Sequence, residues 1–143
     1  MRIAEVLQAK DPDVVTVAAA TPVRELVRVL AERNIGAVLV SDDAKTAHGI
    51  VSERDVVRRL TEGTGVLDLD TSAIMTSPVH TCGVNDSVDD VLRVMTEQRI
   101  RHVPVVVDEQ VQGIVSIGDL VKSRIQQLEF ERDQLSTYVN TAQ

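Results

Sequence analysis

The string Gly-Ile-Val-Ser-Glu-Arg-Asp at residues 49–55 returns as Gly-Ile-Val-Ser-Ile-Gly-Asp at residues 113–119. The sequence around it repeats as well. Residues 14–43 align with residues 79–108 at an offset of 65, and 16 of the 39 positions aligned in the two blocks are identical. Unrelated sequences would share only a few of these positions, so the chain is a tandem duplication and each copy is expected to form one structural unit.

Each copy predicts the same order of elements, β-α-β-β-α. Short apolar runs predict the strands, and apolar residues at helical spacing predict the helices. The predicted strands are 14–17, 37–40 and 49–51 in the first copy and 79–82, 102–107 and 113–115 in the second. The second helix of each copy begins at Ser52 or Ser116. We therefore predict a mixed α/β fold of two such repeats followed by a C-terminal helix.

The repeats divide the chain into four parts. These are repeat 1 at 1–60, a linker and the start of repeat 2 at 61–77, repeat 2 at 78–125, and a helical tail at 126–143. A unit of about 60 residues buries too little surface to be more than marginally stable alone. We expect the two repeats to pack together with pseudo-twofold symmetry, leaving two related clefts where small ligands could bind.

The repeated Ser-x-x-Asp has two readings. In the first, Ser52 and Ser116 cap a helix while Asp55 and Asp119 reach back to the backbone N–H of the capping serine, which is a purely structural capping box. In the second, the carboxylate beside a helix N-terminus accepts hydrogen bonds from the vicinal hydroxyls of a sugar. Duplication copies caps as well as binding sites, so the repeat alone does not separate the two.

A basic string, Arg99-Ile100-Arg101-His102, opens the first strand of the hairpin in the second copy. Arginine binds phosphate through a planar, bidentate fork, and histidine can donate to the same group. The first copy has Gly36 and Ala37 where the second has Arg101 and His102. One cleft should therefore carry an anion-binding group that the other lacks. Arg54 either adds positive charge to the first cleft or points to solvent.

Composition narrows the function further. The chain of 143 residues carries 15 Lys+Arg against 22 Asp+Glu, a net charge of −7 that disfavours binding to nucleic acid or to an anionic membrane surface. No apolar stretch is long enough to span a bilayer, and the one cysteine indicates a reducing, cytoplasmic setting. The two aromatic residues, Phe130 and Tyr138, lie in the tail, so aliphatic side chains would have to hold any nucleobase.

An enzyme is the weaker hypothesis. Cys82 with His80 two residues before it would share a strand face, but Cys82 aligns with Val17 and no third group orients the histidine. The three histidines lack metal-ligand spacing, so neither a metal nor a catalytic residue is predicted.

Residues 122–138 predict a helix with an apolar stripe. This helix is too short and too charged to be a coiled coil alone, and we expect it to fold back on its own domain or to contact a second subunit.

Two β-α-β-β-α repeats that each end in Gly-h-h-Ser-x-x-Asp (h, apolar), with Arg-His-h-Pro-Val in the second, resemble a tandem pair of cystathionine-β-synthase-type (CBS) domains, or Bateman module, over about residues 1–125. The resemblance implies a regulatory ligand of the adenosine class: AMP, ADP, ATP, NAD(H) or S-adenosylmethionine. It implies no required cofactor, a homodimer, and an unidentified effector protein. A scaffold with empty clefts, or a small nucleotide-using enzyme, remains an alternative.

The resemblance also implies which residues hold the ligand. The aspartate holds the ribose, the residues before it flank the adenine, and the Arg-His pair faces the phosphate. The first cleft would use Ile50, Ser52, Arg54, Asp55, Val79, His80, Arg101 and His102. The second would use Val14, Val15, Thr16, Ile114, Ser116 and Asp119. Phosphate binding is in doubt in the second cleft, because Gly36 and Ala37 replace the basic pair.

Overall fold

A computed structural model describes residues 1–141 of the chain. The helices are α1 (Ile3–Gln8), α2 (Val23–Arg33), α3 (Glu53–Leu60), α4 (Val88–Gln98) and α5 (Ile117–Thr141). The strands are β1 (Thr16–Val17), β2 (Ala37–Val40), β3 (Gly49–Ser52), β4 (His102–Val107) and β5 (Gln110–Ser116). The last two residues of the predicted tail, 142 and 143, lie outside the described residues.

The mixed α/β fold with two repeats and a C-terminal helix is confirmed. In the first repeat β1 runs parallel to β2, and β2 pairs antiparallel with β3. In the second repeat β4 and β5 form an antiparallel hairpin. The apolar runs account for these strands, since every residue of β2 is buried and β4 and β5 bury their alternate or central positions.

The predicted strand at 79–82 is the exception. Only Cys82 pairs with β4 there: its N–H bonds the carbonyl of Pro104 at 3.0 Å, and its carbonyl accepts from Val106 at 2.9 Å. The rest of this segment is extended without a strand partner. Val79 and His80 are thereby left free to face the other repeat.

The packing crosses the repeat boundaries at both ends. Helix α1 was not predicted, and its Ile3 and Val6 are buried in the core of the second repeat, against Val88, Met95 and Leu120. The segment after α3, which we expected to be a linker, supplies Val66 and Ile74 to the core of the first repeat. Each core therefore consists of one repeat together with the chain that precedes the other. Fully burying a valine or leucine side chain stabilises the fold by about 1.5–3 kcal/mol.

The two halves meet where the hairpins come together. The N–H of Val111 in β5 donates to the carbonyl of Lys45 in the loop between β2 and β3, at 2.8 Å. A Cβ built on Gly36 would lie 3.2 Å from His102 Cε1, so the first strand of each hairpin touches its counterpart. This seam separates the two clefts that the duplication predicts.

Two glycines set how closely the preceding segments approach the hairpins. A Cβ on Gly49 would lie 2.8 Å from Cγ of Met75, and a Cβ on Gly113 would lie 2.7 Å from Cδ2 of Leu7. Leu7 and Met75 therefore hold equivalent places, each covering the glycine at the equivalent point of its hairpin.

Gly49→Ala should lower the free energy of unfolding by about 1–3 kcal/mol, because the added methyl overlaps the Met75 side chain along most of its length. Gly65→Ala is the matched control: nothing lies within 4 Å of its built Cβ, and the change should stay within about 0.5 kcal/mol. Urea denaturation of both variants measures the difference. Equal losses would show that the close approach at Gly49 is not a constraint.

Candidate functional site

The first cleft lies between the two repeats and has a volume of about 250 Å³. All eight residues predicted for it line it: Ile50, Ser52, Arg54, Asp55, Val79, His80, Arg101 and His102. They come from β3 and the start of α3 on one side, and from the extended segment before Cys82 and the start of β4 on the other. The cross-repeat arrangement implied by the family resemblance is thus present in the structure.

Asp55 performs the structural role that a capping box requires. Its Oδ2 accepts from the backbone N–H of Ser52 at 2.8 Å and from the Ser52 hydroxyl at 3.1 Å, while Ser52 Oγ accepts from the Asp55 N–H at 3.2 Å. Among residues 1–141, Asp55 Oδ1 accepts no hydrogen bond. The cap therefore holds the half-buried carboxylate in place and leaves one oxygen for a donor in the cleft.

Four arginines converge on this cleft without carboxylate partners. Arg54 and Arg58 come from one face of α3, and Arg99 and Arg101 come from the end of α4 and the approach to β4. Within the described part of the chain none of the four makes a salt bridge, whereas six other arginines do: Arg24, Arg28, Arg59, Arg93, Arg124 and Arg132. Glu53 and Asp55 are the acidic residues of the lining, so the cleft is basic in a protein of net charge −7.

The backbone explains how the basic string reaches the cleft. Helix α4 ends at Arg99, which adopts the left-handed conformation with φ of 56°, as Asn34 does with φ of 52° at the end of α2. This conformation is uncommon outside glycine and asparagine. It reverses the chain within two residues, so that Arg101 and His102 follow directly at the mouth of the cleft.

His102 lines both clefts. Burial lowers the pKa of its imidazole below the usual value of 6.5, and the ammonium of Lys10 and the guanidinium of Arg101 lower it further against the opposing effect of Asp119 and Glu53. At neutral pH the ring is therefore uncharged. It can donate one hydrogen bond from one nitrogen and accept one at the other.

The second cleft has a volume of about 360 Å³ and different chemistry. Of the residues predicted for it, five line it: Val14, Val15, Ile114, Ser116 and Asp119. Thr16 does not, because it is the first residue of β1 and pairs with Leu39 instead. Ser116 and Asp119 repeat the capping box, with Asp119 Oδ2 accepting from Ser116 N–H at 2.8 Å.

Lys10 is the unforeseen residue of the second cleft. Its Nζ donates to the carbonyl of Ile114 and to Asp119 Oδ2, both at 2.6 Å. Burial by itself would raise the pKa of Asp119, but the hydrogen bonds from Lys10 and Ser116 outweigh it and hold that pKa below the usual value. Lys10 lies outside the aligned repeat, so no comparison of the two copies could have found it. Arg58 could have been found, since it follows Arg54 by one helical turn.

The alternative of thiol chemistry finds no support in the geometry. Cys82 is buried in the second core, and burial raises the pKa of its thiol to about 12. Such a thiol stays protonated at neutral pH and is a poor nucleophile. Residues 1–141 contain no group of His, Cys, Asp and Glu side chains arranged to hold a metal ion, and no helix among them is long and apolar enough to cross a membrane.

The free energy of unfolding should depend on His102 in weakly acidic solution. Its folded-state pKa lies below the unfolded value near 6.5, so its contribution is complete above that value and is lost as the pH falls through the lower folded-state pKa. His102→Asn should lose less stability than the wild type between pH 7 and pH 5, as measured by denaturant unfolding. A wild-type His102 ring that titrates above 6.5 in an NMR experiment would contradict this.

Comparison with known proteins agrees with the geometry. The profile of the CBS domain matches residues 3–62 and again residues 71–125. Among solved structures, a CBS-domain containing protein of Agrobacterium tumefaciens is 38% identical with a TM-score of 0.82, covering 86% of this chain and 92% of that one. The CBS domain pair of protein MJ0100, solved in complex with 5-methylthioadenosine and S-adenosyl-L-methionine, is 26% identical with a TM-score of 0.77, covering 89% and 98%.

Three curated relatives are matched over only part of their length. An uncharacterised 33.4 kDa protein of Thermofilum pendens is 40% identical over 98 residues, which are 68% of this chain but 32% of that protein. The next two matches span 59% and 61% of their proteins, so the chain covers a third to three fifths of these relatives. The double profile match, the duplicated capping box and the cleft between the repeats lead to one conclusion: the chain belongs to the CBS domain family and is a tandem CBS pair.

Proposed function

We propose that this CBS pair is a sensor that binds an adenosine nucleotide in its first cleft. The proposal rests on one observation. Within the described residues, four guanidinium groups without salt-bridge partners line the same cleft as the carboxylate of Asp55, which the cap holds in place with one oxygen free of hydrogen bonds. A carboxylate suits the hydroxyls of a ribose, and guanidinium groups suit a phosphate. A ligand with both groups at its two ends is a nucleotide.

Each part of the ligand has a place in this proposal. The ribose hydroxyls donate to Asp55 beside the N-terminus of α3, and the phosphate binds Arg101 with His102 donating to it. The base lies between Ile50 and Val79, since the lining of the cleft contains aliphatic side chains and no Phe, Tyr or Trp. Arg54, Ser52 and His80 also line the cleft.

The adenosine class is supported by the MJ0100 pair, which was solved with two adenosine compounds. The arginines favour a phosphate-bearing member of that class, such as AMP, ADP, ATP or NAD(H). S-adenosylmethionine carries a sulfonium cation instead, which four nearby guanidinium groups repel. The geometry therefore ranks nucleotides above S-adenosylmethionine for this chain.

The proposed role is regulatory and non-catalytic. The ligand would shift the protein between two conformations through a difference in its affinity for them, with no cofactor needed. The output would pass to an effector protein, and the proposed setting is the cytoplasm. A ligand-free scaffold predicts empty clefts, and a nucleotide-using enzyme predicts turnover; both alternatives are separated from the sensor by the experiments below.

The proposed assembly is a homodimer built on α3 and α5. Val57 on α3 and Val121 on α5 occupy equivalent positions of the two repeats, and both are exposed. From Val121 onward, exposed apolar residues of α5 recur at alternating steps of four and three residues, which is a heptad pattern. They are Ile125, Leu128, Leu135 and Val139, and Arg132 occupies the position between Leu128 and Leu135. A spacing of 3.5 residues is typical of a helix that packs along another helix.

Charges beside this stripe suit a second copy of the same helix. Leu128 is one of the apolar contact positions of this heptad pattern. Arg124 lies four residues before it and Glu129 lies one residue after it, so the two charged residues are five apart. This is the separation at which opposite charges pair across two parallel helices. Two copies of α5 would therefore bring Arg124 of each beside Glu129 of the other.

A thermal-shift panel tests ligand binding first. The panel contains AMP, ADP, ATP, NAD, NADH and S-adenosylmethionine, each at about 1 mM. A ligand with a dissociation constant near 10 μM should stabilise the fold by about 2.7 kcal/mol and so raise the melting temperature by several degrees. A phosphate-bearing nucleotide should give the largest shift. A flat panel from a protein that releases no nucleotide on denaturation would favour the scaffold, and loss of nucleotide over hours would favour the enzyme.

Two variants test the site by isothermal titration. Asp55→Ala should weaken AMP binding about tenfold or more, because a hydrogen bond to a charged group contributes about 1.5–3 kcal/mol. Asp119→Ala removes the same capping box from the other cleft and should leave AMP affinity within about threefold.

Arg101→Ala should also reduce AMP affinity about tenfold or more while changing adenosine affinity little. Arg93→Ala, at an exposed arginine outside the cleft, is its control. AMP binding that ignores both Asp55 and Arg101 would place the site elsewhere.

A single substitution tests the dimer. Leu128→Glu should weaken self-association by one to two powers of ten, because it replaces an apolar contact worth about 1.5–3 kcal/mol with a charge. Val94→Glu, at an exposed apolar position on α4, is the control. Analytical ultracentrifugation over a concentration series measures both. A dimer that tolerates Leu128→Glu as well as Val94→Glu would rule out the α5 stripe as its interface.

A further inference from the structure

Lys10 makes the second cleft chemically different from the first. Its ammonium donates to two acceptors at 2.6 Å, the carbonyl of Ile114 and the carboxylate of Asp119. The two side chains of this ion pair are 32% and 26% exposed. Charge-assisted bonds of this length hold the ammonium in a defined place within the cleft.

Extra residues in the first copy bring Lys10 there. Leu7 and Met75 hold equivalent places over Gly113 and Gly49, but seven residues lead from Leu7 to Val14 and only four lead from Met75 to Val79. In the shorter segment the backbone N–H of Thr76 donates to the carbonyl of Ile50, at 2.9 Å. In the longer segment the side chain of Lys10 bonds the equivalent carbonyl of Ile114 instead.

The carboxylates of the two clefts consequently differ in net charge. Within residues 1–141, Asp55 has no cation within salt-bridge distance, whereas Asp119 is paired with Lys10. In this described part of the chain both aspartates keep one oxygen without a hydrogen bond, since Lys10 and the Ser116 N–H both donate to Asp119 Oδ2. The ammonium neutralises the charge of Asp119, however, which makes that carboxylate a weaker acceptor for a sugar hydroxyl than the unpaired carboxylate of Asp55.

Lys10 does not turn the second cleft into a phosphate site either. Asp119 neutralises its charge, Asp13 adds a negative charge to the lining, and the four unpaired arginines all lie in the first cleft. His102 is shared, but its ring is uncharged at neutral pH.

We propose that Lys10 is an internal competitor that keeps nucleosides out of the second cleft, so that each chain binds a single nucleotide, in the first cleft. This inference rests on the proposed function and extends it, because it assigns the number of sites and the residue that sets that number. The second cleft keeps its space, and Lys10 acts by neutralising the charge of the carboxylate that would anchor the sugar. Removing Lys10 should convert the cleft into a second nucleoside site.

Adenosine is the probe for the test, because it lacks the phosphate that only the first cleft can bind. Isothermal titration should give one adenosine per wild-type chain and two per Lys10→Ala chain, the second site gaining affinity by at least about tenfold. Lys45→Ala, whose side chain makes no hydrogen bond in the described structure, should still bind one. Lys10→Gln keeps the length and a donor without the charge, and should bind the second adenosine more weakly than Lys10→Ala does.

The outcomes separate this inference from the proposed function. If Lys10→Ala and Lys10→Gln fold with the wild-type melting transition and still bind one adenosine, the role of Lys10 is overturned and the sensor proposal stands. If the wild type already binds two, the role of Lys10 is overturned as well. If the wild type binds neither adenosine nor AMP but Lys10→Ala gains an adenosine site, the first-cleft assignment fails and the role of Lys10 holds.

A double variant and a titration make the assignment specific. Asp55→Ala combined with Lys10→Ala should bind one adenosine, now in the second cleft, whereas Asp55→Ala alone should bind it at least about tenfold more weakly. An NMR titration should show the pKa of the Asp119 carboxyl rise in Lys10→Ala, because a hydrogen-bonded cation has been removed. An unchanged Asp119 pKa would show that the pair does not form, and would overturn the inference.

Discussion

The hydrogen bond between the Ser52 backbone N–H and the Asp55 carboxylate, repeated at Ser116 and Asp119, is the interaction on which the rest of the site depends. It closes the junction at which a strand becomes a helix, so it sets the direction in which α3 and α5 leave their hairpins. The same carboxylate borders a cleft. The structural role and the proposed binding role therefore do not compete for the residue: the cap uses one oxygen and fixes the other in position. The two readings of the Ser-x-x-Asp motif are thus compatible with each other.

The two clefts have the same backbone framework but different charged side chains in their linings. Both retain the capping box and both lie at the same seam. The first has gained Arg101 and His102, where the first copy has Gly36 and Ala37, and it collects the arginines that no carboxylate neutralises. The second has gained Lys10 through a longer preceding segment. His102 lines both clefts, and its pKa is lowered by the charge of Lys10 in the second cleft as well as by that of Arg101 in the first.

Sequence reasoning reached the elements because both copies report on the same structure. Two instances of a strand, a turn and a cap leave little freedom in how the pattern is read. The residues of the first cleft came instead from the resemblance to CBS pairs, since spacing alone does not show which segments face each other, and all eight line that cleft. Sequence reasoning failed where only one copy carries the information. Helix α1 and Lys10 lie outside the aligned blocks, and Thr16, which the family resemblance implied for the second cleft, pairs with Leu39 in β1 and does not line that cleft. The strand predicted at 79–82 shrank to Cys82, because its other residues face the opposite repeat rather than β4.

The exchange of leading segments between the cores has a consequence for how the protein is made. The first core draws on residues between Val17 and Ile74 and is complete once that stretch has left the ribosome. The second core needs Ile3, which precedes the whole first core, and Leu120, which follows it. Helix α1 therefore keeps its apolar face uncovered until residue 120 has been synthesised, and its docking closes a loop around the residues of the first core. Helix α1 is thus translated before either core and buried only when the second one forms.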